Sequence, residues 1–161
     1  KKTFKDKMSI GKGKDEIDLY YFGRGHTGGD AWVLFKALRV LHAGDMFAGK
    51  TTPLVDTMSG GSAVDYGKTL SKAASSLKDY DSIITGHSNM LMTPADLKEY
   101  AAFNNDFITW VQGEIKAGKS VDAAAEEYKI PEKYKGYALG GALFGGIKGN
   151  IQTAYNELQK K

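Results

Sequence analysis

Three side chains able to hold a metal ion stand at the ends of short apolar runs. His26 lies in the loop Gly23-Arg24-Gly25-His26-Thr27-Gly28-Gly29-Asp30, Asp45 follows Val40-Leu41-His42-Ala43-Gly44, and His87 follows Ser82-Ile83-Ile84-Thr85-Gly86. Such runs read as strands. All three groups should therefore emerge at sheet ends, where loops on a rigid scaffold build sites. Two neutral imidazoles and a carboxylate suit Zn²⁺, and Fe or Mn with less preference. The glycines beside them let the backbone turn sharply next to a metal. His42, the remaining histidine, sits inside a strand and is assigned a structural role.

Two nucleotide-binding patterns occur and both fail on context. Gly23-Arg24-Gly25-His26-Thr27-Gly28 fits G-x-G-x-x-G, and Gly44-Asp45-Met46-Phe47-Ala48-Gly49-Lys50-Thr51 fits G-x-x-x-x-G-K-T. Each pattern binds phosphate only when its glycines open a helix. After the first come the strand formers Ala31-Trp32-Val33-Leu34-Phe35. After the second, Pro53 and Ser59-Gly60-Gly61 leave room for about two turns at most.

The elements that must position the three groups fall into two parts. Residues 3–10, 16–22, 31–35 and 40–43 read as strands with short connections, a β-meander. The rest is mainly helical. Ser62 with Asp65 predicts a capped helix over 64–77, and Ser82–Thr85 is a lone strand. Thr93-Pro94 opens a helix to about 117, with Leu97, Tyr100, Ala101, Phe107, Ile108 and Val111 inward. Ser120 caps a shorter helix to 128. The glycine-rich stretch 136–149 is apolar, and a last helix lies near 150–159. Tyr134, Tyr137 and Phe144 are expected in a packed C-terminal arm.

Composition excludes several classes. With 22 Lys+Arg against 19 Asp+Glu in 161 residues, the net charge of +3 is too small to argue for a nucleic-acid partner. A hydrophobic fraction of 42% with 25% charged residues is that of a globular chain. There is no Cys, which removes disulfides, thiolate metal ligands and thiol nucleophiles. No apolar run reaches the roughly 18 residues of a membrane span. The start, Lys1-Lys2-Thr3-Phe4-Lys5-Asp6, lacks the apolar centre of a signal peptide.

Tyr-Phe-Gly-Arg-Gly-His-Thr-Gly-Gly-Asp (21–30), Val-Leu-His-Ala-Gly-Asp-Met-Phe (40–47) and Ile-Ile-Thr-Gly-His-Ser (83–88) together resemble the second half of a metallo-β-lactamase-fold hydrolase. The resemblance covers roughly residues 1–115, with 116–161 a helical and Gly-rich extension. It implies an α+β fold, half of a four-layer αββα sandwich. It further implies that His26 completes a three-His first metal site and that Asp45 is the catalytic carboxylate bridging two zinc ions. His87 would belong to the second metal, and Asp30 would be an acid orienting the His26 ring.

The family's H-x-H-x-D-H signature is absent from the chain. The expectation is therefore a C-terminal piece, whose site and second sheet come from an N-terminal half of the same protein or from a homo-oligomer partner. The complete enzyme would hydrolyse an ester, thioester, lactone or related bond in a small molecule, and this chain alone would be inactive. Lactam hydrolysis is less favoured, because zinc β-lactamases generally carry Cys or Ser where Asp45 lies. The loop from Met46 to Ser62 is expected to border the substrate cleft, with Met46, Phe47 and Lys50 on its wall. The compartment is left open, the resemblance pointing to bacterial export. The alternative is a catalytically incomplete module that persists by self-association.

Overall fold

The computed structural model describes residues 2–142 and 145–160. Phe144, expected in the C-terminal arm, lies outside the described residues. Five strands form one sheet in the order of the sequence: β1 (Lys7–Ile10), β2 (Ile17–Tyr20), β3 (Trp32–Phe35), β4 (Val40–Gly44) and β5 (Ser82–Thr85). The first four pair antiparallel and make the expected meander. β5 pairs parallel with β4, and the crossover between them carries helix α1 (Ala63–Ser76). Parallel neighbours need such a crossover. Helices α2 (Pro94–Lys116), α3 (Val121–Glu127) and α4 (Gly146–Gln159) follow.

Period-two alternation gives the sheet two different faces. One rung, Asp18, Leu34, Leu41 and Ile83, is buried and faces the helices. Here Trp32, Leu41 and Ile83 join Leu70, Leu97, Tyr100 and Phe107 in one core. Full burial of each large apolar side chain contributes about 1.5–3 kcal/mol. The opposite rungs carry Met8, Leu19, Val33, His42 and Ile84, and Ile10, Ile17, Phe35 and Val40. None of these is fully buried, and Ile84 is 40% exposed. His42 thus lies on the face away from the helices, between Val33 and Ile84.

Local chemistry sets the helix starts. Ser62, Thr93 and Ser120 each accept a hydrogen bond from the backbone N–H three residues on, as N-caps do. At α2 the cap is reciprocal, because Asp96 accepts back from the Thr93 N–H at 2.8 Å. The last helix begins at Gly146, earlier than the sequence reading placed it, after Gly145 in the left-handed region at φ +84°. Tyr134 and Tyr137 pack on Phe103 of α2, so the stretch after α3 is a packed arm as expected. No described helix is long and apolar enough to cross a membrane.

Candidate metal centre

The three groups converge at one end of the sheet. Asp45 begins a 3-10 turn directly after β4, and His87 lies two residues beyond β5, the strand paired to it. His26 arrives on the glycine loop between β2 and β3. Asp45 stands between the two imidazoles. Its Oδ1 is 3.1 Å from His87 Nε2, and its Oδ2 is 3.7 Å from His26 Nε2. His26 is the deepest of the three side chains, 16% exposed, and His87 the outermost, 58% exposed.

Asp30 lies against the His26 ring. Its Oδ1 lies 3.1 Å from His26 Nδ1, and its Oδ2 accepts the Thr27 backbone N–H at 2.7 Å. A hydrogen bond donated by Nδ1 to this carboxylate would leave Nε2, the nitrogen nearer Asp45, as the acceptor of the ring. The backbone leaves little slack here. A Cβ on Gly86 would collide with Asp45 Oδ1, and one on Gly25 with the Met46 thioether.

The donor set fits a bridging carboxylate. Two donors on one tetrahedral zinc stand about 3.3 Å apart. Each Asp45 oxygen has that kind of separation from a different imidazole. Each metal position would then receive two donors from this chain, one imidazole and one oxygen. Among the described residues, no group of three or more His, Asp or Glu is arranged to hold a metal ion. A closed zinc shell needs further ligands from elsewhere.

Two residues expected on the cleft wall, Met46 and Phe47, are placed differently. Both are wholly buried. Phe47 stacks on Tyr100 of α2 with ring centroids 4.6 Å apart, and the Met46 sulfur accepts the His26 backbone N–H at 3.3 Å. These residues support the His26 and Asp45 loops from below. The 3-10 turn after Asp45 rotates their side chains into the core. Lys50 pairs with Asp96 at 2.7 Å and Glu99 at 3.4 Å, which ties the loop to the start of α2.

Tyr66 of α1 reaches the site from below. Its hydroxyl donates to the Asp45 backbone carbonyl at 2.6 Å. Burial, reinforced by the neighbouring Tyr100 and carboxylates, holds its pKa well above the ordinary tyrosine value. The phenol therefore stays a donor.

No family model matches the chain, and no curated protein matches it. Solved structures do. The stereoselective inverting sec-alkylsulfatase Pisa1 from Pseudomonas sp. superposes with TM-score 0.68 at 15% identity, over 98% of this chain and 26% of that one. A metallo-β-lactamase from Pontibacter korlensis gives TM-score 0.52 at 15% identity, over 63% and 47%. One from Hirschia baltica gives 0.51 at 22%, over 63% and 45%. At these identities the likeness is one of fold. The fold is that of part of a metallo-β-lactamase-fold protein, and the chain spans less than half the length of each of these hydrolases.

Proposed function

We propose that this chain is the C-terminal part of a metal-dependent hydrolase, contributing His26, Asp45 and His87 to a dinuclear zinc site, with Fe or Mn as substitutes. The observation that carries the reading is the Asp45 carboxylate, whose two oxygens face two different imidazoles. Bound zinc would supply an acidified water and polarise the oxygen of the scissile bond. The residues of this chain hold and orient. Asp30 fixes the His26 tautomer, Tyr66 anchors the Asp45 backbone, and Gly86 leaves room for the Asp45 carboxylate.

The remaining ligands come, in this reading, from an N-terminal half whose sheet packs on the face of Val33, Phe35, Val40 and Ile84. Two sheets bury such faces against each other about 10 Å apart. The partly exposed apolar face and the greater length of the structural neighbours support this. The same face also favours the second reading, a self-associating module that needs no metal.

The test is hydrolysis by the complete protein against a panel containing a carboxylic ester, a thioester, a lactone and a secondary alkyl sulfate. The sulfate is included because the sulfatase likeness runs over 98% of the chain. Turnover of at least one substrate, abolished by a chelator and restored by zinc, supports the reading. A complete protein that turns over none, or that ignores the chelator, contradicts it.

A further inference from the structure

We propose that α4 is a brace for the metal loops, with Glu157 and Asn150 acting as positioning residues. The meaning of the brace for a metal rests on the function proposed above, but the mechanical coupling does not.

Glu157 closes the start of α1 from the far end of the chain. Its Oε2 accepts the Ser62 hydroxyl at 2.6 Å and the Val64 N–H at 3.2 Å, and its Oε1 accepts the Ala63 N–H at 3.2 Å. The first N–H groups of a helix have no partner within it, and the helix dipole favours a negative charge there. Ser62 itself donates its backbone N–H to the Gly25 carbonyl at 2.9 Å. Asp56, in the same loop, donates to the His26 carbonyl at 2.8 Å and accepts from Gly61. A Cβ on Gly61 would collide with the His26 oxygen, so the two loops lie pressed together. The backbone on both sides of the Gly25–His26 peptide is thereby hung on the segment that Glu157 fastens.

Asn150 holds the other loop. It is 3% exposed, and its Nδ2 donates to the Pro53 carbonyl at 2.9 Å, in the stretch that follows Asp45. Asn150 and Glu157 are two helical turns apart and share one face of α4. Ile151 and Ala154 between them are fully buried and press that helix onto the core. Tyr155 fastens it further by donating to the Lys119 carbonyl at 3.2 Å. One helix therefore holds the His26 loop at one end and the loop after Asp45 at the other.

The experiment is backbone amide exchange and imidazole NMR on the metal-free chain carrying Glu157→Ala or Glu157→Gln. The brace predicts that exchange at Asp56 and Ser62 speeds about tenfold in Glu157→Ala. It also predicts that the His26 ring resonance moves while amides of β4 and α2 keep their wild-type rates. Glu157→Gln retains one acceptor oxygen and should restore the His26 resonance with exchange faster by about threefold. If Glu157→Ala does not fold, Glu157→Gln carries the comparison. Acceleration confined to α1, or uniform across all amides, overturns the proposal, as do unchanged Asp56 and Ser62. Zinc added to the complete protein separates the two readings. A His26 resonance unmoved by zinc there counts against the metal centre and leaves the brace intact.

Discussion

The hydroxyl of the wholly buried Tyr66 donates to the Asp45 backbone carbonyl at 2.6 Å. Tyr66 meets Tyr100 edge-on at 6.4 Å, and Tyr100 in turn stacks on Phe47. The carboxylate at the centre of the site thus stands on a column of buried rings. Tyr66→Phe keeps the ring and removes the donor. It should cost about 1 kcal/mol of stability, since the Asp45 carbonyl loses the donor that the buried ring supplies. Urea unfolding checks this, and a midpoint equal to wild type would remove Tyr66 from the support of Asp45.

Lys50 gives a prediction with a definite sign in pH. Burial would raise the Asp96 pKa, but hydrogen bonds from Lys50 and Thr93 outweigh it and hold the carboxyl below its ordinary value. The hydrogen bond to Asp96 raises Lys50 against a smaller opposing effect of burial. A depressed folded-state carboxyl stabilises the fold above its unfolded pKa, and that contribution fades as pH falls through the folded value. A raised lysine contributes below its unfolded pKa and loses that contribution as pH rises through the folded value. Lys50→Met should therefore be less stable than wild type by about 1 kcal/mol at neutral pH. The gap should close in acid below the ordinary carboxylate range. A gap that persists unchanged in acid would show that Lys50 acts by packing alone.

Much of the fold is legible where the deciding chemistry is local. Ser62, Thr93 and Ser120 announce their helices because an N-cap acts within three residues. The strand Ser82–Thr85 stands out as a short β-branched run. The start of α4 is hidden, because Gly146 and Gly149 are poor helix formers and only packing of Ile151 and Ala154 makes that turn helical. The same limit applies at the site. His26, Asp30, Asp45 and His87 are visible as polar groups at strand ends. The burial of Met46 and Phe47 depends on Tyr100 in α2, and the roles of Asn150 and Glu157 depend on loops about a hundred residues earlier. No local pattern encodes either.

The bare sheet face yields a prediction about association. Val33 and Ile84 face away from the helices, and Leu34 faces into the core. A double substitution Ile10→Lys, Ile84→Lys, at the two exposed positions of this face, should change the stability of the isolated chain by no more than about 0.5 kcal/mol. It should also reduce self-association and dye binding of the isolated chain, because an exposed apolar patch drives both. Light scattering and dye fluorescence check this. Equal association in wild type and variant would move the sticky surface elsewhere.

The central claim is that Asp45 bridges two metal positions, each only half supplied by this chain. Native mass spectrometry of the complete protein, wild type beside Asp45→Ala, tests it most directly. The account predicts two divalent ions per site in wild type, and loss of at least one in Asp45→Ala with the fold retained. A complete protein that carries no metal, or that keeps both ions without the Asp45 carboxylate, would contradict it.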